Sequence, residues 1–235
     1  MLLNRPTLVI FCKRPKLHQG KQRLAVSIGV EDTLKIANAL LDCAIEDAQQ
    51  WQGRVVMACA HRSDMAWAKT LLSNAGIDHG EVIAQGEGNL GQRLNFIDKT
   101  LRNNNHQQLI FIGTDAPILH QSHYQETLAA LKDNDIVLNH ADDGGVVIMA
   151  NNKAWPELTE LPWSTEFLSE SLAKLCQKSG FKLSYSKPGY DIDQQKDLQK
   201  LQFDLVNDGR AARQHLYKEI NTLDFFTSEK KQCMT

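Results

Sequence analysis

Short apolar runs recur along the chain at intervals that leave room for a helix between most of them. Residues 109–112 are four apolar residues in a row, and residues 7–12 form a similar unbroken run. Runs without polar alternation predict strands buried on both faces, the pattern of a parallel sheet covered by helices. Further strands are predicted at 55–60, 81–84, 135–139, 146–150 and 182–186. Between them the period lengthens. Leu34, Ala37, Leu41, Ala44 and Ile45 share one face of a helix, with Glu46 and Asp47 turned away from it. A second helix is predicted over 64–75, with Asp64 as N-cap and Gly76 as stop signal. A third opens after the glycine cluster Gly86, Gly88 and Gly91 and runs to about Arg102. His120 and His123 are read as residues of a surface helix. Ser164 or Thr165 is expected to cap a helix opened by 161–166, and another helix follows over 194–205. The strand–helix alternation predicts one mixed, mainly parallel sheet with helices on both faces. Residues 1–205 form the expected domain and 206–235 a C-terminal helical extension, in which Phe225 and Phe226 mark an uncertain end.

Composition narrows the class. With 235 residues, 42% of them apolar and 23% charged, the chain is long enough for one α/β domain with a proper core. A net charge of -2 offers no basic surface for nucleic acid. No stretch approaches the roughly 18 apolar residues of a membrane span. Cys12, Cys43, Cys59, Cys176 and Cys233 are an odd, scattered set with no C-x-x-C pair, as expected of free thiols in a cytoplasmic protein.

The chemistry-bearing residues cluster at predicted strand ends, where open α/β sheets bind ligands. Asp115 follows the 109–112 run; it either caps a helix begun by Ala116 and Pro117 or holds a divalent metal against phosphates. Lys13, Lys21 and Arg23 belong to a basic loop after the first strand, suited to neutralising phosphates or to solvating a surface. The glycines before Arg93 let backbone N–H groups approach an anion at a helix start. Asp142, Asp143, Gly144 and Gly145 join two strands, as a tight hairpin or as part of a site. Asp191 and Asp193, two apart on an extended segment, point the same way and so can chelate.

The order of these motifs is more specific than any one of them. F-x-K-x-P…K-x-R-L precedes G-x-L-G-x-R, then G-T-D-x-P, D-G-G, P-W-S-T and Y-D-hydrophobic-D. The series resembles a bacterial family of GT-A-fold glycosyltransferase-like proteins. That family is related to the guanylyltransferases that activate phospholactate and to the molybdenum-cofactor nucleotidyltransferases. The resemblance covers about residues 7–202. It implies a nucleotide-diphospho-sugar transferase (GT-A) fold, a nucleotide or nucleotide-sugar ligand, and Mg²⁺ or Mn²⁺ held by Asp115, Asp191 and Asp193. It further implies that Lys13, Lys21 and Arg23 hold the nucleotide, while Gly88, Leu90, Gly91 and Arg93 shape the donor pocket. Asp142 and Asp143 become catalytic candidates, with Asp143 as general base, beside Gly144, Gly145, Trp163, Ser164 and Thr165 on the acceptor side. The implied activity is metal-dependent glycosyl transfer. The alternatives are a nucleotidyltransferase acting on a small phosphorylated substrate, or a non-catalytic nucleotide-binding relative. The last is motivated by departures from the usual pattern: His18 for a glycine, Gln22 for a threonine, Asn89 for an acid, and Val146-Val147 for an aromatic pair.

Overall fold

The computed structural model describes residues 5–141 and 143–223. Asp142, Phe225, Phe226 and Cys233 lie outside the described residues. The apolar runs become strands β1 (Thr7–Cys12), β2 (Arg54–Cys59), β3 (Glu81–Ala84), β4 (Leu109–Ile112), β5 (Ile136–His140), β6 (Val146–Asn151) and β7 (Leu183–Tyr185). They form one sheet in the order β3-β2-β1-β4-β6-β5-β7. The strands run parallel except for β6, which is antiparallel to both β4 and β5. Antiparallel β6 follows from the short link after β5, since a parallel return needs a crossover of a dozen residues or more.

The helices are α1 (Gln22–Ile28), α2 (Val30–Gln50), α3 (Met65–Asn74), α4 (Leu90–Asn103), α5 (Gln121–Ala130), α6 (Leu168–Lys178), α7 (Gln195–Leu205) and α8 (Ala211–Asn221). Strand alternation divides the core. Leu8, Ile10 and Cys12 of β1 join Leu41 of α2, Leu72 of α3 and Tyr124 of α5 on one face. Val9, between them, joins Leu94 and Ile97 of α4 and Leu172 of α6 on the other. Both faces are therefore covered by helices, which is why β1, β2 and β4 carry no polar positions at their centres. A third apolar layer packs α1, α7 and α8 against the outer side of α2 through Leu24, Ile36, Leu40, Leu201 and Leu216. Among the described residues, no helix is long and apolar enough to cross a membrane.

Three local expectations are corrected. Asp47 is buried, not turned to solvent, because α8 covers the side of α2 on which it lies. It receives Arg213 at 2.8 Å and Tyr124 Oη at 2.9 Å, and Glu46 accepts from Arg213 at 3.0 Å. Neither Ser164 nor Thr165 caps a helix. Ser164 has a left-handed backbone (φ 64), Thr165 Oγ1 donates to the Pro162 carbonyl at 2.7 Å, and the helix begins only at Leu168. His123 is buried and not a surface residue; its Nδ1 accepts from the His120 backbone N–H at 3.1 Å, closing the first turn of α5. Burial lowers its pKa, so it packs as a neutral ring. Asp64 does stand at the N-cap of α3, but its carboxylate makes no cap bond and is instead paired with Lys16 at 2.9 Å.

Candidate functional site

The parallel strands β1, β4, β5 and β7 all point their carboxyl ends toward one edge. The loops that follow them carry the charged motifs to that edge. After β4 the chain does not enter a helix at Ala116; α5 starts at Gln121, so Asp115 is not a helix cap. Its side chain turns back over Gly113, where an added Cβ would lie 2.6 Å from Asp115 Oδ1. A side chain at 113 would therefore displace the carboxylate from this position. The segment after β7 is pulled to the same place by backbone bonds. Gly189 N–H donates to His140 at 3.1 Å, and Ile192 N–H donates to the Asp115 carbonyl at 2.9 Å. Asp193 and Gln194 then donate to the Asp197 carboxylate at 3.0 and 2.7 Å, fixing the start of α7.

This geometry brings Asp115, Asp191 and Asp193 together, with one oxygen from each within 4.8 Å of the others. The basic loop answers two of the three acids. Lys21 Nζ lies 3.3 Å from Asp115 and 2.5 Å from the Ile192 carbonyl, and Arg23 lies 3.5 Å from Asp193. Lys21 adopts a left-handed backbone (φ 43), a conformation that costs on the order of 1 kcal/mol and is held here by these side-chain bonds. Asp191 has neither cation. Burial, followed by the charges of Asp115, Asp143 and Asp193, pushes its pKa up to about 7. Three hard oxygen donors, one of them destabilised as an anion, suit a divalent cation such as Mg²⁺ or Mn²⁺.

Two cavities meet at Asp191. One, of about 310 Å³, is polar and lined by Arg23, Asp143, Asp193, Lys196 and Lys200 among others. The other, of about 190 Å³, is largely apolar and runs under β4 and β6 toward Trp163, with Asp115 and Asp191 at its polar end. Asp143 accepts from Gly145 N–H at 2.9 Å, within the turn closed by Ala141 N–H on the Gly145 carbonyl at 3.0 Å. Gly144 (φ 85) packs so tightly that a Cβ would lie 1.9 Å from the Glu166 carbonyl oxygen. Cys12 ends β1 nearby, but burial pushes its thiol up to about 12, which leaves it no part as a thiolate nucleophile.

Other sequence candidates fall elsewhere. Lys13, Ser164 and Thr165 line neither cavity, and Ser164 and Thr165 only shape the turn before α6. Arg93 is tied back to the Gly88 carbonyl at 2.9 Å, and Gly91 is buried beneath the Leu158 carbonyl. Leu90 does face the apolar cavity. Two departures from the family pattern have structural answers. His18 adopts φ 61, the conformation a glycine would favour. Asn89 caps α4 with Gln92 and also donates to the Thr159 carbonyl at 2.9 Å, a bond a carboxylate could not make. The sequence reasoning missed Tyr190, Lys196 and Lys200. Their signal was adjacency to Asp191 and an i, i+4 pair of lysines on one helix face. It also missed the apolar lining, which carries no distinctive signal in a chain full of apolar strands.

Comparison with known proteins agrees with this architecture. A family model described as an uncharacterised protein conserved in bacteria (DUF2064) matches residues 33–165, more than half of the chain. A proposed nucleotide-diphospho-sugar transferase from Desulfovibrio desulfuricans G20 superposes with a TM-score of 0.83 at 15% identity, over 95% of this chain and 98% of that one. The 4-diphosphocytidyl-2C-methyl-D-erythritol synthase of Anaerococcus prevotii DSM 20548 follows at a TM-score of 0.52 and 14% identity, over 83% and 95%. CMP:2-keto-3-deoxy-manno-octonic acid synthetase, in complex with CTP, gives a TM-score of 0.52 at 12% identity, over 84% and 97%. These likenesses establish the nucleotide-diphospho-sugar transferase fold. No curated protein matches the chain in sequence.

Proposed function

We propose that this chain, which belongs to the DUF2064 family of bacterial proteins, transfers a glycosyl group from a nucleotide-diphosphate sugar to an acceptor hydroxyl with the help of Mg²⁺ or Mn²⁺. The observation that carries the reading is the convergence of Asp115, Asp191 and Asp193 beside Lys21 and Arg23 at the carboxyl edge of the sheet. When bound, the metal supplies a Lewis acid for the diphosphate oxygens. Lys21 and Arg23, already at the carboxylates, place positive charge where a diphosphate adds negative charge. Asp143, in the polar cavity next to Asp191, is placed to accept the acceptor's proton. The acceptor oxygen bonds to the anomeric carbon as the bond from that carbon to the diphosphate breaks. The proton passes to a carboxylate, and the nucleoside diphosphate leaves with the electron pair. Four buried, unbridged thiols, Cys12, Cys43, Cys59 and Cys176, are in keeping with a cytoplasmic enzyme.

A second reading, nucleotidyl transfer to a phosphorylated substrate, is favoured by Lys196 and Lys200 beside the same acids, since a phosphate requires such cations. A thermal-shift panel of nucleotides and nucleotide-sugars, each with and without Mn²⁺, separates the readings. Glycosyl transfer predicts a Mn²⁺-dependent shift with one family of nucleoside diphosphates and their sugars. Pyrophosphate release from a nucleoside triphosphate, with no turnover of nucleotide-sugars, would establish the second. A shift with neither metal dependence nor turnover would leave a binding protein.

A further inference from the structure

The cavity beside the acidic cluster is lined mostly by apolar side chains. Its walls are the rings of Phe11, Phe111 and Trp163 and the side chains of Leu94, Val146 and Met149. The indole N–H of Trp163 is already committed to the Leu158 carbonyl at 3.0 Å. Among the lining side chains only Asp115 and Asp191 remain for hydrogen bonding, and both stand at one end. A nucleobase or a hexose placed in this space would find only those two side chains for its several donors and acceptors, and each one buried without a partner costs about 1–3 kcal/mol. At about 190 Å³ the space is slightly larger than the roughly 150 Å³ apolar cavity known to stay dry and to admit benzene. Leu90, which lines the cavity, is 43% exposed and gives it an apolar edge at the surface.

We infer that the acceptor carries an apolar group of single-ring size that fills this cavity, with its reacting hydroxyl held at the Asp115 and Asp191 end. The word acceptor rests on the transferase reading above; the selectivity of the cavity does not. The polar cavity, which shares Asp191 and has Arg23, Lys196 and Asp143 in its wall, takes the charged part of the donor and keeps Asp143 near a hydroxyl held at the shared carboxylate. The division assigns hydrophobic and ionic recognition to two cavities that share one carboxylate.

Cyclohexanol, phenol and glucose serve as probes for the full-length chain, titrated by ligand-detected NMR and by intrinsic tryptophan fluorescence. Cyclohexanol and phenol are expected to bind saturably, at least tenfold more tightly than glucose. Leu90→Trp, at the partly exposed mouth, is expected to weaken both alcohols at least tenfold while leaving the Mn²⁺-induced rise in melting temperature unchanged. Val146→Phe narrows the same space from the sheet side and provides the check should the first variant misfold. Glucose binding as tightly as cyclohexanol, no saturable binding of either alcohol, or unaltered binding in both filled variants would each overturn the inference. Alcohol binding without any response to Mn²⁺ would instead remove the transferase reading and keep the apolar site.

Discussion

The Lys21 ammonium sits 3.3 Å from a carboxylate oxygen of Asp115, joining the loop after the first strand to the loop after the fourth. The same ammonium reaches the carbonyl between Asp191 and Asp193, so one side chain ties the first loop to both segments of the acidic cluster. Lys21→Gln is expected to lower metal-free stability by about 1 kcal/mol, or a few degrees of melting temperature. The added stability conferred by Mn²⁺ should grow, because the cation then answers an uncompensated acid. Melting curves with and without Mn²⁺ check both.

Asp191 opposes folding at neutral pH. Its pKa in the folded chain rises from 3.8 to about 7, with burial the main cause. The folded state therefore holds the proton more tightly than the unfolded one. This contribution is fully stabilising below about pH 4 and is lost as pH climbs toward 7. Asp191→Asn is expected to melt a few degrees higher than the parent at pH 8 without metal, and to lose most of the Mn²⁺ response. A variant less stable than the parent at pH 8 would contradict the assignment.

Asp143 is the test of proton transfer. Asp143→Asn preserves the side-chain oxygen that accepts from Gly145 N–H. Turnover of the responsive nucleotide-sugar is expected to fall by about 10²–10⁴-fold, with metal binding retained. Equal losses in turnover and in Mn²⁺ affinity would make Asp143 part of the metal site instead.

Arg213 is completely buried and bonds Asp47, Glu46 and the backbone carbonyls of Cys43, Pro117 and Leu119. Burial pulls its pKa down and Asp47 drives it up by more, so the guanidinium stays charged. Removing one partner of such a pair leaves the other buried and uncompensated. Arg213→Met should cost about 3–5 kcal/mol in urea denaturation, and Asp47→Asn in the same chain should restore a good part of it.

Gly144→Ala meets two obstacles, a left-handed backbone and a carbonyl oxygen 1.9 Å from the new Cβ. A loss of at least about 2 kcal/mol is expected, together with a shifted turn between β5 and β6. The denaturation midpoint and the Asp143-dependent turnover should fall together.

The strands were legible because burial on both faces leaves an unbroken apolar run, as in residues 7–12 and 109–112. Asp115 was legible as a candidate because it follows such a run, and Asp191 and Asp193 because two acids two apart on an extended segment point the same way. What the sequence hid was partnership across distance. Asp47 looked like a solvent-facing acid because its cation lies 166 residues further on. Ser164 and Thr165 looked like caps because hydroxyl residues serve helix starts and irregular turns alike. The apolar cavity was invisible because Phe11, Phe111 and Met149 carry no mark that separates a lining residue from a core residue.

The hold of Arg213 on the carbonyls of Pro117 and Leu119 also sets an order of events at the ribosome. Arg213 is synthesised 96 residues after Pro117. At about 5–20 residues per second, the loop bearing Asp115 waits roughly 5–20 s for the helix that will brace it. Strands β1 to β4 can pair during that interval, since all have already been made. The acidic cluster, which also needs residues 191 and 193, is therefore completed only after the strands β1 to β4 that carry Asp115.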